Sequence, residues 1–125
     1  MSTMVIALGG NAIKKADQVG NIKDQFDTSA EACREFVKVI RDGHRIALTH
    51  GNGPQVGMIL RRVELSQHEI YPLPIDTCVS DSQGGMGYML QQVMQNELEK
   101  VGMHTEAVTL ITRCVVDLKD PAFNH

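Results

Sequence analysis

The sequence predicts an α/β fold, a three-layer α/β/α sandwich around a mainly parallel sheet, and three observations carry that reading. Short apolar runs of strand length recur along the chain, at Val5–Leu8, Arg45–Thr49 and Ala107–Ile111. Between them lie segments whose apolar residues repeat with helical period. The first two runs empty directly into glycine turns, Gly9-Gly10-Asn11 and Gly51-Asn52-Gly53. The order strand, helix, strand, helix, helix, strand then requires crossovers that return over a face of the sheet, as parallel βαβ units do.

Val5–Leu8 follows Met4 as an all-apolar run and reads as a buried strand. From Thr28 the period changes. Cys33, Phe36, Val37 and Ile40 fall at i, i+3, i+4 and i+7, a helix face that ends near Asp42-Gly43, where glycine supplies a left-handed cap. Arg45–Thr49 is the second strand. Val56, Ile59, Leu60 and Val63 repeat the helical spacing, and Pro54 stands where a first turn tolerates it. Tyr71-Pro72-Leu73-Pro74 is a rigid connector. A third helix is expected from about Asp81-Ser82, with Met86, Met89, Leu90 and Val93 on one face, ending near Val101-Gly102. The stripe that includes Met94 reads as core or subunit interface. Ala107–Ile111 is the last expected strand, with Cys114-Val115-Val116 as its candidate continuation.

Composition narrows the function. The chain has 125 residues, one domain at most, with 42% hydrophobic residues, a net charge of −3 and a pI near 5.9. No basic patch suggests nucleic acid or an anionic membrane as partner. Cys33, Cys78 and Cys114 form no CxxC pair, and the N-terminus lacks a signal-peptide pattern, so a soluble protein of the cytoplasm is expected. His44, His50, His68, His104 and His125 show no metal-ligand spacing, and no metal site is expected.

The two glycine turns are the chemistry-bearing motifs. Both should lie at the carboxyl edge of one parallel sheet, where open α/β folds bind ligands. Glycine lets a ligand approach the backbone, and amides at a helix start favour anions. An anion site is therefore expected, against the simpler reading that each glycine only makes a tight turn. Known fingerprints do not fit: Gly51-Asn-Gly53-Pro-Gln-Val-Gly57 is one residue too long for the dinucleotide pattern, Gly85-Met-Gly87 lacks a third glycine, and no GK[ST] occurs. His50 is a secondary candidate, more simply satisfied by local backbone. Arg61-Arg62 reads as a solvated face.

Six runs together carry a resemblance: Val5-Ile-Ala-Leu-Gly-Gly-Asn-Ala12, Asp42-Gly-His-Arg45, Thr49-His-Gly-Asn-Gly-Pro-Gln-Val-Gly57, Pro74-Ile-Asp-Thr-Cys-Val79, Ser82-Gln-Gly84 with Gly87-Tyr88, and Asp120-Pro-Ala-Phe123. In order and spacing they resemble the carbamate kinase family, within the amino-acid kinase fold. The resemblance implies that residues 1–125 are the N-terminal, phosphate-acceptor-binding portion, and that the ATP-binding C-terminal portion is absent from this chain. It implies the reaction ATP + carbamate ⇌ ADP + carbamoyl phosphate, in arginine metabolism, with Mg2+ serving the nucleotide in a complete enzyme and neither expected to bind this chain tightly. A homodimer is implied as well.

Carried over by position, Gly10 and Asn11 would position the phosphoryl group, with Gly9 beside them. Gly51, Asn52 and Gly53 would hold the carbamate end, and Gln55 and Gln83 are weaker substrate-binding candidates. Where related acetylglutamate kinases have a lysine, this chain has Ala7, as carbamate kinases do. The resemblance instead implies a lysine in a Thr-Lys-Pro-Ile-Gly segment beyond Phe123, which these 125 residues do not contain. Arg113, and Asp81 at an expected helix start, depart from the family pattern. The alternative reading is a non-catalytic anion-binding or dimerisation module.

Overall fold

The computed structural model describes residues 2–13 and 20–124. β1 (Thr3–Leu8) and β2 (Arg45–His50) form a parallel pair in register from Thr3 against Arg45 to Leu8 against His50. α1 (Ile22–Arg41) crosses between them, as expected for a βαβ unit. α2 (Gly53–Ser66) and α3 (Ile75–Lys100) follow, the latter packed on α1 and on α2. The α/β class and the parallel sheet agree with the sequence reading. No helix among the described residues is long and apolar enough to cross a membrane.

The core lies between one face of the sheet, α1 and α3. Leu8 joins Cys33 and Val37 of α1 to Met86, Met89, Leu90, Val93, Met94 and Leu98 of α3. The methionine stripe is thus core. Glu97, buried beside them, is paired with Lys100 at 2.6 Å and with Arg34 of α1 at 3.5 Å. These pairs satisfy a carboxylate that would otherwise be costly to bury. The helix ends behave as read, with Gly43 (φ 90°) and Gly102 (φ 72°) both left-handed.

Four expectations change. α1 begins at Ile22, six residues before Thr28, because Asn21 Oδ1 accepts the Asp24 N–H (3.0 Å) while Asp24 accepts the Gly20 N–H (3.1 Å). That reciprocal cap starts a helix whose first turn is exposed and so shows no apolar period. α3 likewise begins at Ile75, with Pro74 as its N-cap and Asp76 in the first turn. Asp81 and Ser82 are therefore interior positions, and the favourable dipole argument for Asp81 passes to Asp76.

Val5 is exposed although its strand was expected to be buried, because the helices cover only the sheet face that carries Ile6, Leu8, Ile46 and Leu48. Ala107–Ile111 and Cys114–Val116 form no ladder with β1 or β2. The segment is extended chain held to α3 by side-chain hydrogen bonds, with Val108, Leu110 and Val115 exposed.

Candidate anion-binding site at the strand ends

Because Leu8 and His50 are register partners, the two glycine turns leave the same edge of the sheet from neighbouring strands, about 5 Å apart. The expected juxtaposition is therefore present. After β1, Gly10–Ala12 forms a single 3-10 turn in which the Ala12 N–H donates to the Gly9 carbonyl (3.0 Å). The Gly10 and Asn11 amides precede that first bond. The Asn11 side chain lies outside the described residues.

After β2, α2 starts at Gly53 with Asn52 as N-cap and Pro54 in the first turn. Its first intrahelical bond runs from the Val56 N–H to the Asn52 carbonyl (2.9 Å). The Gly53 and Gln55 amides thus stand ahead of the helix ladder, and Pro54 has none to offer. Asn52 does not cap the helix with its side chain. Its Nδ2 instead donates to Ser82 Oγ at 2.6 Å, and that hydroxyl donates onward to the Val79 carbonyl (2.7 Å). The contact fixes the second turn against α3.

The glycines here are not forced by backbone geometry. Among the described residues the left-handed conformation occurs only at Gly20, Gly43 and Gly102, and a Cβ built at Gly9, Gly10, Gly51 or Gly53 meets nothing within 4 Å. What the missing side chains leave is open space at the Cβ position of each glycine beside the turns. The arrangement can hold a small anion by hydrogen bonds from neutral donors, with the α2 dipole adding favourable potential.

The remaining candidates separate. His50 bonds locally, its Nδ1 lying 3.1 Å from the Gly51 carbonyl. Gln55 donates to Gln25 Oε1 of α1 at 3.3 Å. Gln83 turns away from the glycines and grips Thr112. Arg61 pairs with Glu64 on the exposed face of α2, and Arg113 and Asp81 are exposed. Sequence reading missed Ser82 as the partner of Asn52 and Gln25 as the partner of Gln55. Each lies thirty positions from the residue it meets, and no local pattern announces such a contact.

A magnesium ion finds no ligand set in either turn, since residues 9–13 and 51–56 contain no carboxylate. Among the described residues no three His, Cys, Asp or Glu side chains cluster as a metal site. The two turns offer neutral amide donors and carbonyl acceptors but no carboxylate, and no step is assigned to a metal here.

A parallel βαβ unit with two glycine turns side by side at its carboxyl edge defines an α/β domain of the kind that binds ligands along that edge. Over residues 2–122 the chain matches the model of the amino acid kinase family, and it belongs to that family. It is 43% identical over 124 residues to the carbamate kinase of Pyrococcus horikoshii and 41% identical to a carbamate kinase-like protein of Escherichia coli. These alignments take in 98% of this chain but 40% and 39% of those relatives. The solved carbamate kinase from Giardia lamblia bound to AMP-PNP superposes with a TM-score of 0.93 at 36% identity, covering 98% of this chain and 39% of that one. The chain thus spans about 40% of the length of the curated relatives it matches.

Proposed function

We propose that this chain supplies the carbamate- and phosphoryl-binding half of a carbamate kinase-type phosphotransferase, interconverting ATP and carbamate with ADP and carbamoyl phosphate. The observation that carries this reading is the register pairing of Leu8 with His50, which sets the Gly9–Asn11 and Gly51–Gly53 turns side by side. Phosphoryl transfer needs positioning and charge stabilisation more than covalent chemistry. In this reading the amides of Gly10 and Asn11 hold the transferring group and those of Gly53 and Gln55 the carbamate end. Asn52 is kept in place by Ser82. The nucleotide pair, with Mg2+, is bound by the part of the enzyme that corresponds to the remainder of the relatives' length. The reading places the complete enzyme in the cytoplasm as a homodimer in arginine metabolism.

The test is selectivity among acyl phosphates. Carbamoyl phosphate and acetyl phosphate differ by an amino group in place of a methyl. Titrated against the chain, carbamoyl phosphate should bind several-fold more tightly and shift the amide signals of both turns. Equal affinity, or shifts confined to one turn, would contradict the carbamate assignment. The chain alone should form no ATP from carbamoyl phosphate and ADP, and turnover at a kinase rate of about 1 to 100 per second would overturn the division of labour.

A further inference from the structure

The extended segment after α3 is held in an unusual way. Gln83 Oε1 accepts the Thr112 N–H at 2.9 Å while its Nε2 donates to the Thr112 carbonyl at 3.2 Å. One side-chain amide thereby meets both backbone groups of one residue, as a neighbouring strand would. Further along α3, the Gly87 carbonyl accepts the Thr109 hydroxyl at 2.9 Å, and Gln95 Oε1 accepts the Ala107 N–H at 3.3 Å. Positions 83, 87 and 95 lie on one i, i+4 row of the helix, the ridge that a partner element follows.

The lengths agree. The five steps of extended chain from Ala107 to Thr112 span about 17 Å, and the twelve helical steps from Gln83 to Gln95 rise about 18 Å. Gly87 has a steric reason to be glycine, since a Cβ there would overlap the Thr109 γ-methyl outright. Nothing comparable constrains Gly84 or Gly85.

We propose that Gln83 is a positioning residue, which together with Gly87 and Gln95 fixes the register of the extended 107–112 segment on α3. Both ends of its carboxamide are already used by Thr112, so its task is to place chain rather than to bind substrate. The adjacent Ser82 holds Asn52, so one turn of α3 anchors both the second glycine turn and the extended segment. The register claim stands on these contacts and does not depend on which anion the turns bind.

Amide hydrogen exchange on the 125-residue chain tests it. Gln83→Ala should speed exchange at Thr112 about five- to tenfold, the effect of losing one neutral hydrogen bond. Gln83→Glu keeps an acceptor for the Thr112 N–H and should leave that rate within about twofold of the parent. Gly87→Ala should speed exchange at both Ala107 and Thr112. Adding Thr109→Ser removes the obstructing methyl, keeps the hydroxyl, and should restore both rates. Unchanged Thr112 exchange in Gln83→Ala, or no rescue by Thr109→Ser, would overturn the proposal. So would a carbamoyl phosphate titration that shifts the Gln83 side-chain amide signals. Failure of the anion assignment alone would leave every one of these exchange rates as expected.

Discussion

Gly84 and Gly85 stand in the interior of α3, where glycine weakens a helix by about 0.8 to 1.0 kcal/mol relative to alanine. Replacing a glycine is favourable only where the new methyl group fits and the backbone is one that alanine adopts. Both conditions hold. Neither residue is left-handed, and a Cβ at either position meets no atom within 4 Å. No overpacking cost therefore offsets the gain, which combines better propensity with a less flexible unfolded chain. Each single substitution should add about 0.4 to 1 kcal/mol. The double variant should approach the sum, about 1 to 2 kcal/mol, because the two methyl groups would point in different directions from the helix axis. For a chain of this size that corresponds to a rise in Tm of roughly 3 to 10 °C. Urea unfolding monitored by circular dichroism at 222 nm reads the free energy directly. A loss of stability in either single variant would show that the space beside α3 is filled in solution, and the packing described for this helix would be wrong there.

Other substitutions probe the core. Leu98, 1% exposed at the α1–α3 contact, should cost about 2 to 5 kcal/mol on truncation to alanine, measured by the same denaturation. A cost below about 1 kcal/mol would mean that α3 is loosely packed at this end. Burial, and then the nearby Glu97 carboxylate, push the Cys33 thiol from its ordinary 9.0 up to about 11. Neutral-pH alkylation should accordingly modify exposed Cys114 quickly and spare Cys33 and Cys78 until the chain unfolds. The same shift favours the protonated native thiol. The stability it confers is complete below pH 9 and falls as pH rises towards about 11, and Cys33→Ala should show a shallower decline over that range than the parent.

Residues that meet neighbours in sequence were the legible ones. The strand before Gly9, the helical period through Cys33 and Val37, the left-handed cap at Gly43 and the helix end near Gly102 are local signals that the structure keeps, although only one face of that strand is covered. The juxtaposition of the glycine turns was legible because handedness leaves parallel strands little choice of arrangement. Helix starts were harder. Ile22 and Ile75 are exposed where their helices open, so no apolar spacing marks either start, and the Asn21–Asp24 cap is the local sign of the first. The strand expected at Ala107–Ile111 shows the limit most plainly. Its β-branched composition is real, but a strand exists only beside a partner, and neither β1 nor β2 pairs with it; its bonds from Ala107 and Thr112 go to side chains of α3. Asn52 reaching Ser82, and Gln83 reaching Thr112, are contacts across about thirty residues that no periodicity encodes.

The central claim is that the Gly9–Asn11 and Gly51–Gly53 turns converge on one anion. It is tested most directly by titrating inorganic phosphate into the chain while following backbone amide signals in the parent, Gly10→Val and Gly53→Val. Open space around both glycines means that valine should leave the fold intact while occupying the anion's place. In the parent, the Gly10, Asn11, Gly53 and Gln55 amides should shift together along one binding isotherm, and each valine variant should abolish the shifts at both turns. Independent isotherms for the two turns, or phosphate binding at Gly10 undiminished in Gly53→Val, would mean that the turns are separate and that no shared site exists.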